Sequence, residues 1–156
     1  MKRPISSYLL NFLLFVLAIA AIPAGWNLIF DPSGVGIGFS EEVLGQLEHS
    51  PFSNFLVPGL FLFVILGLLP LLTLYGLTTK KKSSMAQKIN LYPNYHWAWT
   101  VSYYIGMVLI LWINMQLLFG IAFYILHFVC TLLGVLIIFI THLPITKRYY
   151  RLLIVE

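Results

Sequence analysis

Disulfides, thiolate cages and ionisable groups inside its apolar runs are all missing from this sequence. With one cysteine, Cys130, no internal disulfide can form, and neither a CxxC redox pair nor a cysteine metal cage can be built. Charged residues make up 9% of the chain and hydrophobic residues 60%, against about 25% charged in an average soluble domain. No Lys, Arg, Asp or Glu falls within the runs 8–30, 52–77 or 97–143. Proton-coupled exporters and ion pumps keep such a residue in the membrane to carry the coupling, so this absence weighs against them. The length suits a small multidrug exporter, but the first span lacks the glutamate of that family.

What is there is apolar length. The stretch from Trp97 to Leu143 is about 47 residues, roughly 70 Å as one helix, and a hydrocarbon core is about 30 Å thick. It must fold back, and Asn114, Gln116 and Gly120 mark the expected reversal. The reading is an all-α, polytopic four-helix membrane bundle forming a single domain over residues 1–156. Its spans are expected at about 8–30, 52–77, 95–117 and 121–143, with an outer loop 31–51, a cytoplasmic loop 78–94 and a tail 144–156.

Charge sets the orientation. The nine cations are Lys2 and Arg3; Lys80, Lys81, Lys82 and Lys88; and Lys147, Arg148 and Arg151. Four spans place all three groups on one side. The opposite loop carries Asp31, Glu41, Glu42 and Glu48 with no lysine or arginine. The positive-inside rule then puts both termini in the cytoplasm. Lys80, Lys81 and Lys82 are topology signals with anionic lipid contact as a second use, and a nucleic-acid site is not expected. Tyr8, Tyr75, Tyr95, Trp97, Trp99, Tyr149 and Tyr150 are expected as an inner aromatic belt, with Trp26 and Trp112 near the outer interface. The MKR start and IPAG imitate a secretory signal. The apolar run continues to Phe30, however, and Ile22-Pro23 makes a poor cleavage site, so retention as a span is expected.

Packing faces can be read from small residues. Ala98, Ser102 and Gly106 recur every four positions, and Asn114 is expected to extend their ridge. His127, Thr131, Gly134, Ile138 and Thr141 form the matching face of the fourth span, and both ridges should turn inward. In the second span Ser50 is the expected N-cap and Pro51 the first helical residue, with kinks at Pro58-Gly59 and Pro70. In the outer loop a short amphipathic helix is expected, capped by Ser40, with Glu41 and Glu42 at its positive end and Val43, Leu44 and Leu47 on the apolar side.

Candidate chemistry is sparse. Among the histidines, His127 and His142 lie about 22 Å apart along one helix and cannot share a metal or haem. His96 and His142 could meet at the inner face. No GxSxG or HExxH occurs. The residues that could form an outer polar cluster are Asp31, Glu48, His49, Asn114, Gln116 and His127, enough for acid/base work at the surface if they converge. No catalytic residue, metal or cofactor is assigned. The segment DPSGVGIGF lacks the P-loop lysine and the GxGxxG spacing. Asp31-Pro32-Ser33-Gly34 instead has the residue order of a type I turn.

The stretches AIPAGWNLIFDPSG, SPFSNFLVPGLFLF and WAWTVSYYIGMVLILWINMQ together resemble a group of small, uncharacterised four-span bacterial membrane proteins. The resemblance covers residues 21–120. It implies a bacterial inner-membrane location and no activity. A non-catalytic membrane module that packs against itself, a membrane-protein partner or lipid is therefore the expected function. A small transporter or channel-like homo-oligomer, and an enzyme with its site at the outer face, are the alternatives.

Overall fold

A computed structural model describes residues 2–120 and 122–152. Along the chain come α1 (Ile5–Phe30), α2 (Glu41–Gly45) with a 3₁₀ turn (Gln46–His49), α3 (Leu56–Phe63), a π turn (Val64–Leu68) and α4 (Leu69–Thr79). Then follow α5 (Ser84–Lys88), α6 (Trp97–Leu118), α7 (Ile125–His142) and α8 (Pro144–Tyr150). No strand occurs among the described residues, only an isolated bridge between Tyr95 and Arg151. Four helices are long and apolar enough to cross a membrane: α1, the continuous α3–π–α4 rod (Leu56–Thr79), α6 and α7. The protein is thus all-α and multi-pass. Its outward faces carry Phe12, Phe15, Ile19, Leu72, Leu111 and Phe139, an apolar coat too continuous to be left in water.

Helix α1 packs along α3 and α4, α6 along α7, and α4–α6 and α1–α7 contacts close the ring. Close approach depends on residues without side chains. A Cβ on Gly25 would lie 2.7 Å from the Gly59 carbonyl oxygen, and one on Gly76 would strike the Trp97 ring. Ala98, Ser102 and Gly106 are all buried, with Gly106 set against Gly134. Asn114 departs from this ridge: it is exposed, and its Nδ2 donates to the Ile110 carbonyl at 2.8 Å. Eight residues beyond Gly106 is about 80° past two full turns, whereas seven is within about 20°. Ile113 therefore continues the buried line.

The spans differ from their expected bounds for local reasons. Ser50 does not cap the second span. Its Oγ donates to the Leu47 carbonyl and accepts from the Phe52 amide, closing the 3₁₀ turn, and the helix starts at Leu56, whose amide Asn54 Oδ1 accepts at 3.0 Å. Pro58 then falls in the first turn, where its missing N–H has no intrahelical partner to lose, so the proline costs the helix no hydrogen bond. Gly59 serves as a contact point for α1. The irregularity sits just before Pro70, where the Leu69 amide reaches back five residues to the Val64 carbonyl. A π turn there takes up the space the proline ring needs. Asn114 and Gln116 stay helical, and α6 continues to Leu118 before Gly120 turns with φ +83°. Helix α7 begins at Ile125. The expected start at 121, like residues 1 and 153–156, lies outside the described residues.

At the basic end the expected belt is partly core. Trp97, Trp99 and Tyr150 are buried, with Trp99 Nε1 donating to the Thr141 carbonyl and Trp97 Nε1 to that of Lys81. Tyr8 and Tyr75 remain on the outside. Lys80 folds over the Tyr149 ring, 3.3 Å from its centroid, while Lys81 and Lys82 are exposed. His96 and His142 do not pair. His142 packs on Trp99 and Tyr103, and His96 joins the 80s loop to α6. His96 Nδ1 accepts from the Ala98 amide, which fixes the tautomer, so Nε2–H donates to the Lys81 carbonyl.

Burial holds His96 below its ordinary value of 6.5, with Lys80 adding repulsion. A folded value below the unfolded one means that the unfolded chain binds the extra proton. Stability is therefore expected to fall as pH drops through about 6.5 and to stop falling below the folded value. Melting temperatures between neutral and mildly acidic pH check this. The His96→Asn variant, which keeps a cap without titrating, should show a shallower dependence.

Candidate functional site

The acidic end is where the rods part. Helix α1 ends at Phe30, and Asp31 starts the type I turn its sequence specifies, with the Gly34 amide bonding the Asp31 carbonyl at 3.1 Å. Gly34 (φ +75°) is required there, since a Cβ would also meet Phe39 at 2.7 Å. The Phe39 amide closes on Gly34, and the Phe55 amide closes on Pro32. Phe39 and Phe55 meet edge to face at 5.2 Å. The loop is thereby fastened to the head of α3. Ser40 accepts from the Val43 amide and starts α2, as its residue type predicts.

Under this roof lies a cavity of about 340 Å³. Its walls are Ala24, Asn27 and Leu28 of α1, Pro58 and Leu62 of α3, and Trp112, Met115, Gln116 and Phe119 from α6 and its end. Ile37, Phe39, Val43, Leu47, Phe52 and Phe55 form the roof, with Ser50 between them. Trp112 is held in place by stacking on Phe61 at 4.3 Å. The volume lies at the small end of the usual 300–1,000 Å³ for ligand pockets, and an apolar wall with a few polar groups is their usual make-up. Among the described residues no charged or titratable side chain lines it. The amides of Asn27 and Gln116 make no hydrogen bond to the described residues, whereas Ser50 is occupied by its own turn.

Of the six residues that could have formed an outer cluster, Gln116 alone lines this cavity. Asp31 is tied up within its loop: Ser33 Oγ donates to one carboxylate oxygen and the Ile37 amide to the other, at 3.2 Å. The Ser33 hydrogen bond, against an opposing effect of burial and helped by the neighbouring backbone amides, holds its carboxyl below the ordinary 3.8. The loop's support from Asp31 is then complete above about that pH and is lost as pH falls through the lowered value. Replacement by alanine should speed hydrogen exchange at the Ile37 amide, and replacement by asparagine less so. Glu48 and His49 are exposed on the 3₁₀ turn. Buried His127 accepts the Tyr124 amide on Nδ1 at 3.0 Å, which caps α7. Among the described residues no three of His, Cys, Asp and Glu gather as metal ligands.

Asn27, Met115 and Phe119 were not singled out by sequence reasoning, and Trp112 was expected only as an outer-interface anchor. A usable signal existed for Asn27, the one polar side chain in the last three turns of α1. Nothing along the chain pairs it with Gln116, because that requires the divergence of α3 from α6. The DPSG, SPF and PGLF stretches converge on this cavity and its roof, and Trp112 and Gln116 belong to the stretch that begins WAW. No family model, curated protein or solved structure matches the chain.

Proposed function

We propose that this chain is a non-catalytic integral membrane module that holds a small apolar or lipid-like molecule in the cavity beneath the loop 31–55. The observation that carries the reading is the cavity itself: apolar and aromatic walls, two uncommitted amides, a Ser50 hydroxyl held by its own turn, and no acid or base among the described lining residues. Catalysis by proton transfer would need a titratable group within hydrogen-bond reach of the ligand. The segregation of cations supports a cytoplasmic basic end, which places the cavity near the outer leaflet. Location in a bacterial inner membrane rests on the family resemblance. Exposed Lys81 and Lys82 suit contact with anionic lipid at the other face.

The test is ligand retention by protein purified in mild detergent, read by native mass spectrometry. Ala24→Trp, which fills the cavity from the exposed outer part of α1, should abolish retention at an unchanged melting temperature. Equal retention by both proteins would count against the reading.

A further inference from the structure

We infer that the molecule held in the outer cavity is an amphiphile with a protonated amine at its polar end, anchored by the amide oxygens of Asn27 and Gln116. This rests on the proposal that the cavity binds a ligand. Three observations assign the head group. First, the wall offers primary amides and, among the described residues, no cation: an ammonium finds the amide oxygens as acceptors, whereas a carboxylate finds neutral N–H donors and no positive partner. Second, the roof belongs to a loop charged with one sign only. Asp31 is bonded to the amide of Ile37, a wall residue; Glu41 lies two residues before Val43; and Glu48 follows Leu47.

No lysine or arginine occurs between Pro4 and Thr79, so nothing in the loop offsets those carboxylates. They are sequence neighbours of residues that roof the cavity, so the loop over it carries a net negative charge that favours an entering cation. Third, Trp112, Phe52 and Phe119 present aromatic rings to the cavity, and Phe52 and Phe119 meet edge to face. Ring faces attract a cation and repel a carboxylate. An apolar chain or ring system between α3 and α6 supplies most of the affinity, and the charge of the head sets the selection.

The probes are one straight alkyl chain carried as a primary amine, as an alcohol and as a carboxylate, titrated against the full chain in neutral detergent and followed by native mass spectrometry. The amine should bind at least about tenfold tighter than the carboxylate, with the alcohol between them, and added salt should narrow the gap. Glu41→Gln combined with Glu48→Gln should bring amine and carboxylate to within about threefold. Gln116→Leu should weaken the amine more than the alcohol while leaving the melting temperature unchanged. If the carboxylate or alcohol binds as tightly as the amine, the head-group inference falls and the cavity reading stands. If none of the three is retained and Ala24→Trp behaves as wild type, both fall.

Discussion

Gly106→Leu is expected to leave no folded bundle, and Gly106→Ala to lose about 1–3 kcal/mol, the usual cost of forcing one extra carbon into a filled contact. At this crossing a Cβ on Gly106 would lie 2.9 Å from the Gly134 carbonyl oxygen and 2.8 Å from Ile138 Cγ1, and one on Gly134 would lie 2.9 Å from the Gly106 carbonyl oxygen. The obstacle is backbone as well as side chain, so a rotamer change cannot clear it and the helices must move apart. That separation would open α6 against α7, its most extensive partner. Denaturant titration of the alanine variant and size exclusion of the leucine variant are the measurements. A leucine variant that stays monodisperse with wild-type stability would show that the two backbones do not meet. The contact lies within one chain, so the loss should appear as unfolding rather than as dissociation of an oligomer.

The second large effect is expected at the basic end. Tyr150→Phe should cost about 1–3 kcal/mol for each buried polar group it strands. The Tyr150 hydroxyl donates to the Leu77 carbonyl at 3.2 Å, so Ser7 must donate to Tyr150, while Ser7 Oγ accepts from Arg3 Nε at 3.0 Å. One ordered line of hydrogen bonds thus ties the start of α1, the last turns of α4 and the end of α8. Ser7 and Tyr150 are sealed from solvent, so no water replaces a missing partner. Ser7→Ala combined with Tyr150→Phe should cost less than the two single changes added together, because removing both ends strands fewer groups than removing one. Additive losses would mean that the two hydroxyls act separately.

Some of this architecture is local and some is not. The DPSG turn could be read because proline sets φ, glycine accepts the left-handed region and aspartate bonds its own loop. The Ser40 cap and the Ala98–Ser102–Gly106 ridge could be read for the same reason, since each depends on residues within a few positions. Asn114 was misplaced by extending a four-residue step that drifts about 40° each time around the helix. Ser50 was misread because a Ser-Pro pair suits both a helix start and the end of a turn, and the preceding Leu47 carbonyl decided between them. Asp31 looked reactive because an acid beside glycines resembles a site. Its oxygens turn out to be satisfied within seven residues of chain.

The sequence by itself determined the number of long apolar helices, the segregation of cations to one end and acids to the other, and the absence of ionisable groups from the spans. These follow from composition along the chain, which neighbours cannot alter. Only the tertiary structure decided which polar groups face a cavity and which face lipid. That depends on how each helix is rotated about its axis and where α3 and α6 diverge. A rotation of one residue, about 100°, is enough to move Gln116 from the cavity wall to the bilayer.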